Sequence, residues 1–250
     1  MVEPLFWFAG TAQSQQGQTI LLDGAEGKHA ASVRRMRVGE AIQLSDGLGF
    51  RARGTVVSVG QSSLEIEVRE VSQDGAPRPH ITLVQALAKG DRDEQAVQAC
   101  TEAGIAAVVP WQAEHSVSRW DAAKSAKNVA RWQTIATEAA KQSLRSWFPA
   151  VQEPVTSNQL TQSLGSYDLV LVLEPSAETA ILDSVRLLER ELGDARIAIV
   201  IGPEGGISLK ELDQLATGGA KLTKLGSEVL RTSTAGVAAV AILQHLAGNW

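Results

Sequence analysis

The spacing of hydrophobic and polar positions changes partway along the chain. Ala41–Ser45 and Phe50–Val59 are short apolar runs, and residues 64–68, Leu-Glu-Ile-Glu-Val, alternate strictly. A period of two sends one face of a strand into a core and the other into water, so these segments predict half-buried strands. Asp46-Gly47 and the stretch from Gly60 to Ser63 supply turns between them, and a short helix is predicted over residues 27–36. Residues 72–79, Ser-Gln-Asp-Gly-Ala-Pro-Arg-Pro, concentrate turn formers and polar side chains. A boundary there gives one domain over residues 1–74 and a second over 75–250.

Past that boundary the apolar runs become continuous. His80–Ala86, residues 106–110, residues 168–173 and Arg196–Ile201 predict buried strands, with a last short strand over 222–225. Helical spacing falls between them: 92–103 with Gly104 as its stop, 120–144, 177–192, and 234–246. Ser208-Leu209-Lys210-Glu211 is a capping box that opens a further helix ending near Gly218. Strands buried on both faces and alternating with helices predict an α/β fold with a mainly parallel sheet.

Composition narrows the class. The chain has 250 residues, 44% hydrophobic and 20% charged, which fits a soluble globular protein and excludes a disordered one. That length suggests one or two domains. The single Cys100 cannot form an internal disulfide and is expected as a small core residue on its helix. At Met1-Val2-Glu3-Pro4-Leu5 no basic region leads into an apolar run, and no apolar stretch approaches the roughly 20 residues of a membrane span. A cytoplasmic protein is expected.

The net charge of −5 argues at first against a nucleic-acid partner. Its distribution changes that. Between Lys28 and Arg53 stand Lys28, Arg34, Arg35, Arg37, Arg51 and Arg53 against Glu40 and Asp46. Between Ser116 and Pro149 stand Arg119, Lys124, Lys127, Arg131, Lys141 and Arg145 against Asp121 and Glu138. Each island is +4, so the rest of the chain carries −13. Two such islands are either solvated faces or a localised phosphate-binding face.

The sharpest local feature is the strand that runs through Ile201 into Gly202-Pro203-Glu204-Gly205-Gly206 and then the capped helix. Such a loop is either an ordinary strand-to-helix turn or a ligand site, because open α/β sheets bind ligands at the carboxyl ends of their strands. No Gly-Lys-Ser/Thr follows, so it is not a phosphate loop. Leu225-Gly226 through Leu230-Arg231-Thr232-Ser233-Thr234-Ala235 forms a second candidate loop, in which Thr232, Ser233 and Thr234 are potential N-caps of the last helix. Leu173-Glu174-Pro175 is a third. Gly47-Leu48-Gly49-Phe50-Arg51-Ala52 matches a dinucleotide fingerprint formally, but a strand pattern follows where a helix is required, so it reads as a hairpin turn. His29, His80, His115 and His245 are scattered without metal-ligand spacing, so no metal is expected; His115-Ser116 has no Asp partner for nucleophilic catalysis.

In combination these motifs resemble the ribosomal RNA small subunit methyltransferase E family, of the SPOUT class of S-adenosylmethionine-dependent RNA methyltransferases. The residues that carry the resemblance are Gly202-Pro203-Glu204-Gly205-Gly206, Leu225-Gly226 and Leu230-Arg231-Thr232-x-Thr234-Ala235. Further matches are Lys89-Gly90-Asp91-Arg92, Glu102-Ala103-Gly104-Ile105, Pro110, His115-Ser116, Arg131-Trp132, Glu138 through Arg145 to Pro149, and Arg34 through Glu40. Three positions depart from the pattern: Ser233 stands where Glu is common, Ala99 where Lys is common, and Leu5-Phe6-Trp7-Phe8 replaces a more basic start.

The resemblance implies a C-terminal α/β trefoil-knot domain, a small N-terminal PUA-like β-barrel that binds RNA, and a homodimer. It implies S-adenosyl-L-methionine as cofactor, held by Leu173, Glu174, Ile201, Gly202, Gly205, Gly206, Leu225, Gly226, Leu230, Thr232 and Ala235. It implies N3-methylation of a uridine in small-subunit ribosomal RNA, within the assembled subunit. Arg231 would stabilise charge on the uracil, and Glu204 would orient the base or accept its proton. Arg34, Arg35, Arg37, Lys89, Gln142 and Arg145 would contact the RNA. Ribose 2′-O-methylation and a non-catalytic ribosome-assembly role are the alternatives.

Overall fold

The computed structural model describes residues 3–250. It divides into two units, Met1–Ala76 with Ala140–Phe148, and Pro77–Ala139 with Pro149–Trp250.

The first unit is a mixed five-stranded sheet. Its strands are β1 (Leu5–Trp7), β2 (Thr19–Leu22), β3 (Ala41–Ser45), β4 (Phe50–Val59) and β5 (Leu64–Gln73), in the order β1-β3-β4-β5-β2. β3, β4 and β5 form an antiparallel meander, while β1 runs parallel to β3. β1 and β2 are opposite edges, yet Phe6 of β1 and Ile20 and Leu22 of β2 share one buried cluster. The sheet is therefore curled around its core. The helix predicted over 27–36 begins earlier, as α1 (Gly24–Lys28), and then widens into a π turn over His29–Val33. Its first turn carries no large apolar side chain, so periodicity was silent there. The formal dinucleotide match is the β3–β4 turn, as the strand pattern required.

The returning segment Ala140–Phe148 completes this unit. Gly49 N donates to Ser146 O at 3.0 Å, Phe148 N to Gly47 O at 2.9 Å, and Trp147 Nε1 to Asp74 O at 3.1 Å. A Cβ on Gly47 would lie 2.8 Å from the Phe148 ring, and one on Gly49 2.8 Å from the Trp147 indole. Both glycines also have positive φ, so the turn needs glycine on two counts. Lys141 Nζ pairs with Glu26 Oε1 at 2.6 Å, with the lysine side chain only 3% exposed.

The second unit is built on a parallel sheet. Its strands are β6 (His80–Ala86), β7 (Ala107–Gln112), β8 (Ala150–Val151), β9 (Val155–Thr156), β10 (Leu169–Leu173), β11 (Arg196–Ile201) and β12 (Lys221–Thr223). The order is β12-β10-β11-β6-β7-β8, with β9 also paired to β7. Its helices are α2 (Arg92–Glu102), α3 (Ala122–Gln142, whose end enters the first unit), α4 (Ser157–Ser163), α5 (Ile181–Val185), α6 (Leu209–Thr217) and α7 (Thr232–Leu246). Successive residues feed opposite cores. Leu171, Ile197 and Ile199 join α2 and α7 on one face, and Val170, Ala198 and Val200 join α4 and α6 on the other. Burial on both faces is why these strands read as unbroken apolar runs.

α7 approaches β6 and α2 closely, because a Cβ on Gly236 would lie 2.9 Å from Cys100 Sγ. Cys100 is buried there and burial pushes its thiol up to about 12, consistent with a packing role. To reach α7 from the edge strand β12, the chain passes residues 179–181. Lys224 N donates to Thr179 O and Ile181 N donates to Lys224 O. That pairing also corrects the helix expected over 177–192. Residues 179–181 are drawn into an extended bridge, leaving only the short α5. No helix is long and apolar enough to cross a membrane among the described residues.

Candidate functional site

β10, β11 and β12 end side by side, with Leu173 in register with Ile201 on one side and Thr223 on the other. The chain after each strand rises from the same end of the sheet. Together these segments enclose a cleft of about 460 Å³ within the second unit. Of the proposed cofactor residues, Leu173, Glu174, Ile201, Gly202, Gly206, Leu225, Gly226, Leu230, Thr232 and Ala235 line it, with Arg231 and Glu204 at the same cleft. Gly205 does not. Its carbonyl and that of Gly206 both lie 3.2 Å from His115 Nδ1, bracing the loop against the segment after β7.

The glycine loop is tightly built. A Cβ on Gly202 would lie 2.7 Å from Ile207 Cγ1, so no larger residue fits without moving Ile207. Ser208 closes the loop with the predicted capping box: its hydroxyl accepts from Glu211 N, and Glu211 caps back to Ser208 N. The last helix differs from expectation. Its N-cap is Arg231, with extended φ and ψ of −70° and 156°, and Thr232 is its first helical residue. The Thr232 hydroxyl is used elsewhere, donating to Gly202 O at 2.8 Å. Arg231 is exposed and stands where the positive end of the helix dipole adds to its own charge.

Glu204 is held at the cleft by two donors. Its Oε1 accepts from Arg92 Nη1 at 2.9 Å and from Lys89 N at 3.1 Å. Burial acts to raise this carboxyl, but its own backbone N–H, that of Lys89 and the Arg92 guanidinium outweigh burial and hold it below the usual carboxylate range. Arg92 also lines the cleft, as do Lys224 and Glu228. Sequence reasoning gave these three no role. Arg92 belongs to Lys89-Gly90-Asp91-Arg92 and Glu228 to the loop from Leu225 to Ala235, but nothing in the spacing shows which side chains turn inward.

Among the proposed RNA contacts, Arg34, Arg35, Arg37 and Gln142 are exposed in the first unit. Arg145 belongs to the same unit and is partly covered; burial pushes its guanidinium down to about 10, still charged at neutral pH. Lys89 is exposed in the second unit.

The residues of the cleft fit S-adenosylmethionine. Leu173, Ile201, Leu225 and Leu230 offer apolar walls for a purine, the Gly202 turn allows close backbone approach, and Glu174, Glu204 and Glu228 are carboxylates suited to a cationic ligand. The volume lies within the range of small-molecule sites.

Comparison with known proteins agrees with this fit. Residues 76–244 match the model of an RNA methyltransferase domain, and residues 22–69 that of an RNA methyltransferase PUA domain. A ribosomal RNA small subunit methyltransferase E of Mycobacterium bovis is 38% identical over 94% of this chain and 89% of its own. That of Bacillus subtilis is 31% identical over 93% of this chain and 92% of its own. Among solved structures, the Neisseria gonorrhoeae enzyme of that name, bound to S-adenosyl methionine, superposes with a TM-score of 0.85 at 28% identity, covering 98% of each chain. A Legionella pneumophila protein with the cofactor SAM bound gives 0.86 at 29% identity, again over 98% of each chain.

Proposed function

The chain belongs to the ribosomal RNA small subunit methyltransferase E family, and from that membership we propose that it transfers a methyl group from S-adenosylmethionine to N3 of a uridine in 16S ribosomal RNA. The observation that carries the reading is the single cleft at the ends of β10, β11 and β12, with Arg231 and Glu204 beside the apolar walls. When bound, the cofactor supplies an electrophilic methyl group on a sulfonium, chemistry that needs no metal.

The chain's own residues bind, orient and balance charge. Leu173 and Ile201 would hold the adenine between apolar side chains, and backbone groups of Leu225, Leu230 and the glycine loop would pair with its polar edges. Uridine N3 carries a proton at neutral pH and must lose it, to solvent, before or during attack; as it leaves, negative charge develops on the uracil oxygens, and transfer of the methyl group to N3 neutralises it. Arg231, at the N-terminus of α7, stabilises that charge in the manner of an oxyanion site. Glu204, held ionised by Arg92 and the Lys89 amide, is a weak proton acceptor, which supports the orienting role for it. Arg34, Arg35 and Arg37 contact RNA phosphates, and Lys89, Gln142 and Arg145 are further RNA contacts. A cytoplasmic homodimer acting on the assembled small subunit completes the reading.

The test incubates small subunits and naked RNA with isotopically labelled S-adenosylmethionine, then maps the product by mass spectrometry of digested RNA. N3-methyluridine is expected. A ribose-methylated product overturns the base specificity, and a failure to bind S-adenosylmethionine in calorimetry overturns the catalytic reading.

A further inference from the structure

Gln85 is the last but one residue of β6, next to the cleft but not lining it. It is fully buried, and its amide has a fixed direction. Nε2 donates to Ala86 O at 3.1 Å and to Thr232 Oγ1 at 2.9 Å. Turning the amide over would set its oxygen against the Ala86 carbonyl oxygen, so the orientation follows from the neighbours. The Thr232 hydroxyl has one proton, which it gives to Gly202 O at 2.8 Å. It must therefore accept from Gln85. The chain of bonds runs one way, from the Gln85 amide through the Thr232 hydroxyl to the Gly202 carbonyl. Among the described residues, this orientation leaves Gln85 Oε1 buried without a hydrogen-bond partner.

The relay joins three places far apart in sequence: the end of β6, the first residue of the glycine loop, and the first residue of α7. Thr232 adjoins Arg231, the N-cap of that helix. We propose that Gln85 is a positioning residue for methyl transfer, acting through Thr232 to lock the glycine loop and the Arg231 loop into the one spacing that the cofactor fits. This rests on the function proposed above. Gln85 touches no ligand; it sets the distance between two loops that do. Without the relay, Gly202 O loses its donor and the two loops move independently. Cofactor affinity falls before RNA affinity does.

The experiment compares Q85L, T232V and T232S with the unaltered protein. Readouts are S-adenosylmethionine affinity by calorimetry, KM for RNA, and thermal unfolding. Q85L keeps the volume and removes the donor; T232V keeps the shape and removes the hydroxyl. Each should weaken cofactor binding about tenfold, the change expected when one buried acceptor loses its partner. KM for RNA should stay within about twofold, and T232S should recover most of the affinity lost in T232V. The double variant Q85L/T232V should be no weaker than T232V, since both cut one chain. Cofactor affinity unchanged in Q85L or T232V, or T232S as weak as T232V, overturns the relay; because Thr232 itself lines the cleft, the glutamine variant decides, with Q85M in place of Q85L should that not fold. An unaltered protein that fails to bind S-adenosylmethionine overturns the functional reading itself and is told apart by that control.

Discussion

Arg92 Nη1 lies 2.9 Å from Glu204 Oε1, joining the first turn of α2 to the glycine loop. This pair, with the Lys89 amide, keeps Glu204 ionised. R92A should therefore raise the Glu204 pKa, because a donor and a positive charge both leave. Carboxyl carbon NMR titration of the two proteins measures it directly. An unchanged midpoint would remove Arg92 as a determinant. In the intact protein Glu204 should stay charged throughout the neutral range, so the acid limb of the pH–rate profile should persist in E204Q.

Arg231 is exposed at the start of α7, with its backbone fixed as the N-cap. R231A leaves that backbone role in place, since the cap uses no side-chain bond. The single-turnover methylation rate should fall by roughly a hundredfold or more, as for the loss of one oxyanion donor. Cofactor affinity should change little. A rate equal to that of the unaltered protein would sink the charge-stabilising role.

Arg34 and Arg35 stand exposed in the first basic island. Reversing both to Glu should lower RNA affinity and flatten its salt dependence. Each lost phosphate contact removes about 0.7 to 0.9 from the slope of log K against log salt. Filter binding between low and moderate salt reads that slope, and a parallel line for the double variant counts against phosphate contact there.

Asp74 accepts the Ser146 hydroxyl and lies 3.1 Å from Arg51 Nη2. The Ser146 bond, aided by Arg51, outweighs burial and holds this carboxyl below its usual value. A depressed folded pKa adds stability that is full above the unfolded value of about 3.9 and is lost as pH falls through the folded one. Urea unfolding should show D74N less stable at pH 7, with the gap to the unaltered protein closing below about pH 4. A gap independent of pH would mean the ionised form is not what matters.

Local patterns with a local cause were legible in the sequence. The Ser208–Glu211 capping box, the β3–β4 hairpin and the four buried strands follow from turn chemistry and from burial on both sheet faces. What long-range pairing decides was not legible. Lys224 pulls residues 179–181 out of the helix that their spacing favours. Thr232 gives its hydroxyl to a carbonyl 30 residues away, so the N-cap falls on Arg231. Gly205 shares a motif with Gly202 and Gly206, yet does not line the cleft, while Gly206, which faces His115 as Gly205 does, lines it. Motif membership located the site; which atoms enter it depended on partners distant in the chain.

The return of Ala140–Phe148 to the first unit sets an order of assembly during synthesis. The β3–β4 turn that receives Trp147 and Phe148 leaves the ribosome about a hundred residues before they do. At roughly 5 to 20 residues per second that is several seconds or more with an open seat on a curled sheet. The part of the protein made first is thus among the last to be finished. A fragment cut at residue 76 would keep all five strands and lack the plug that covers their turn.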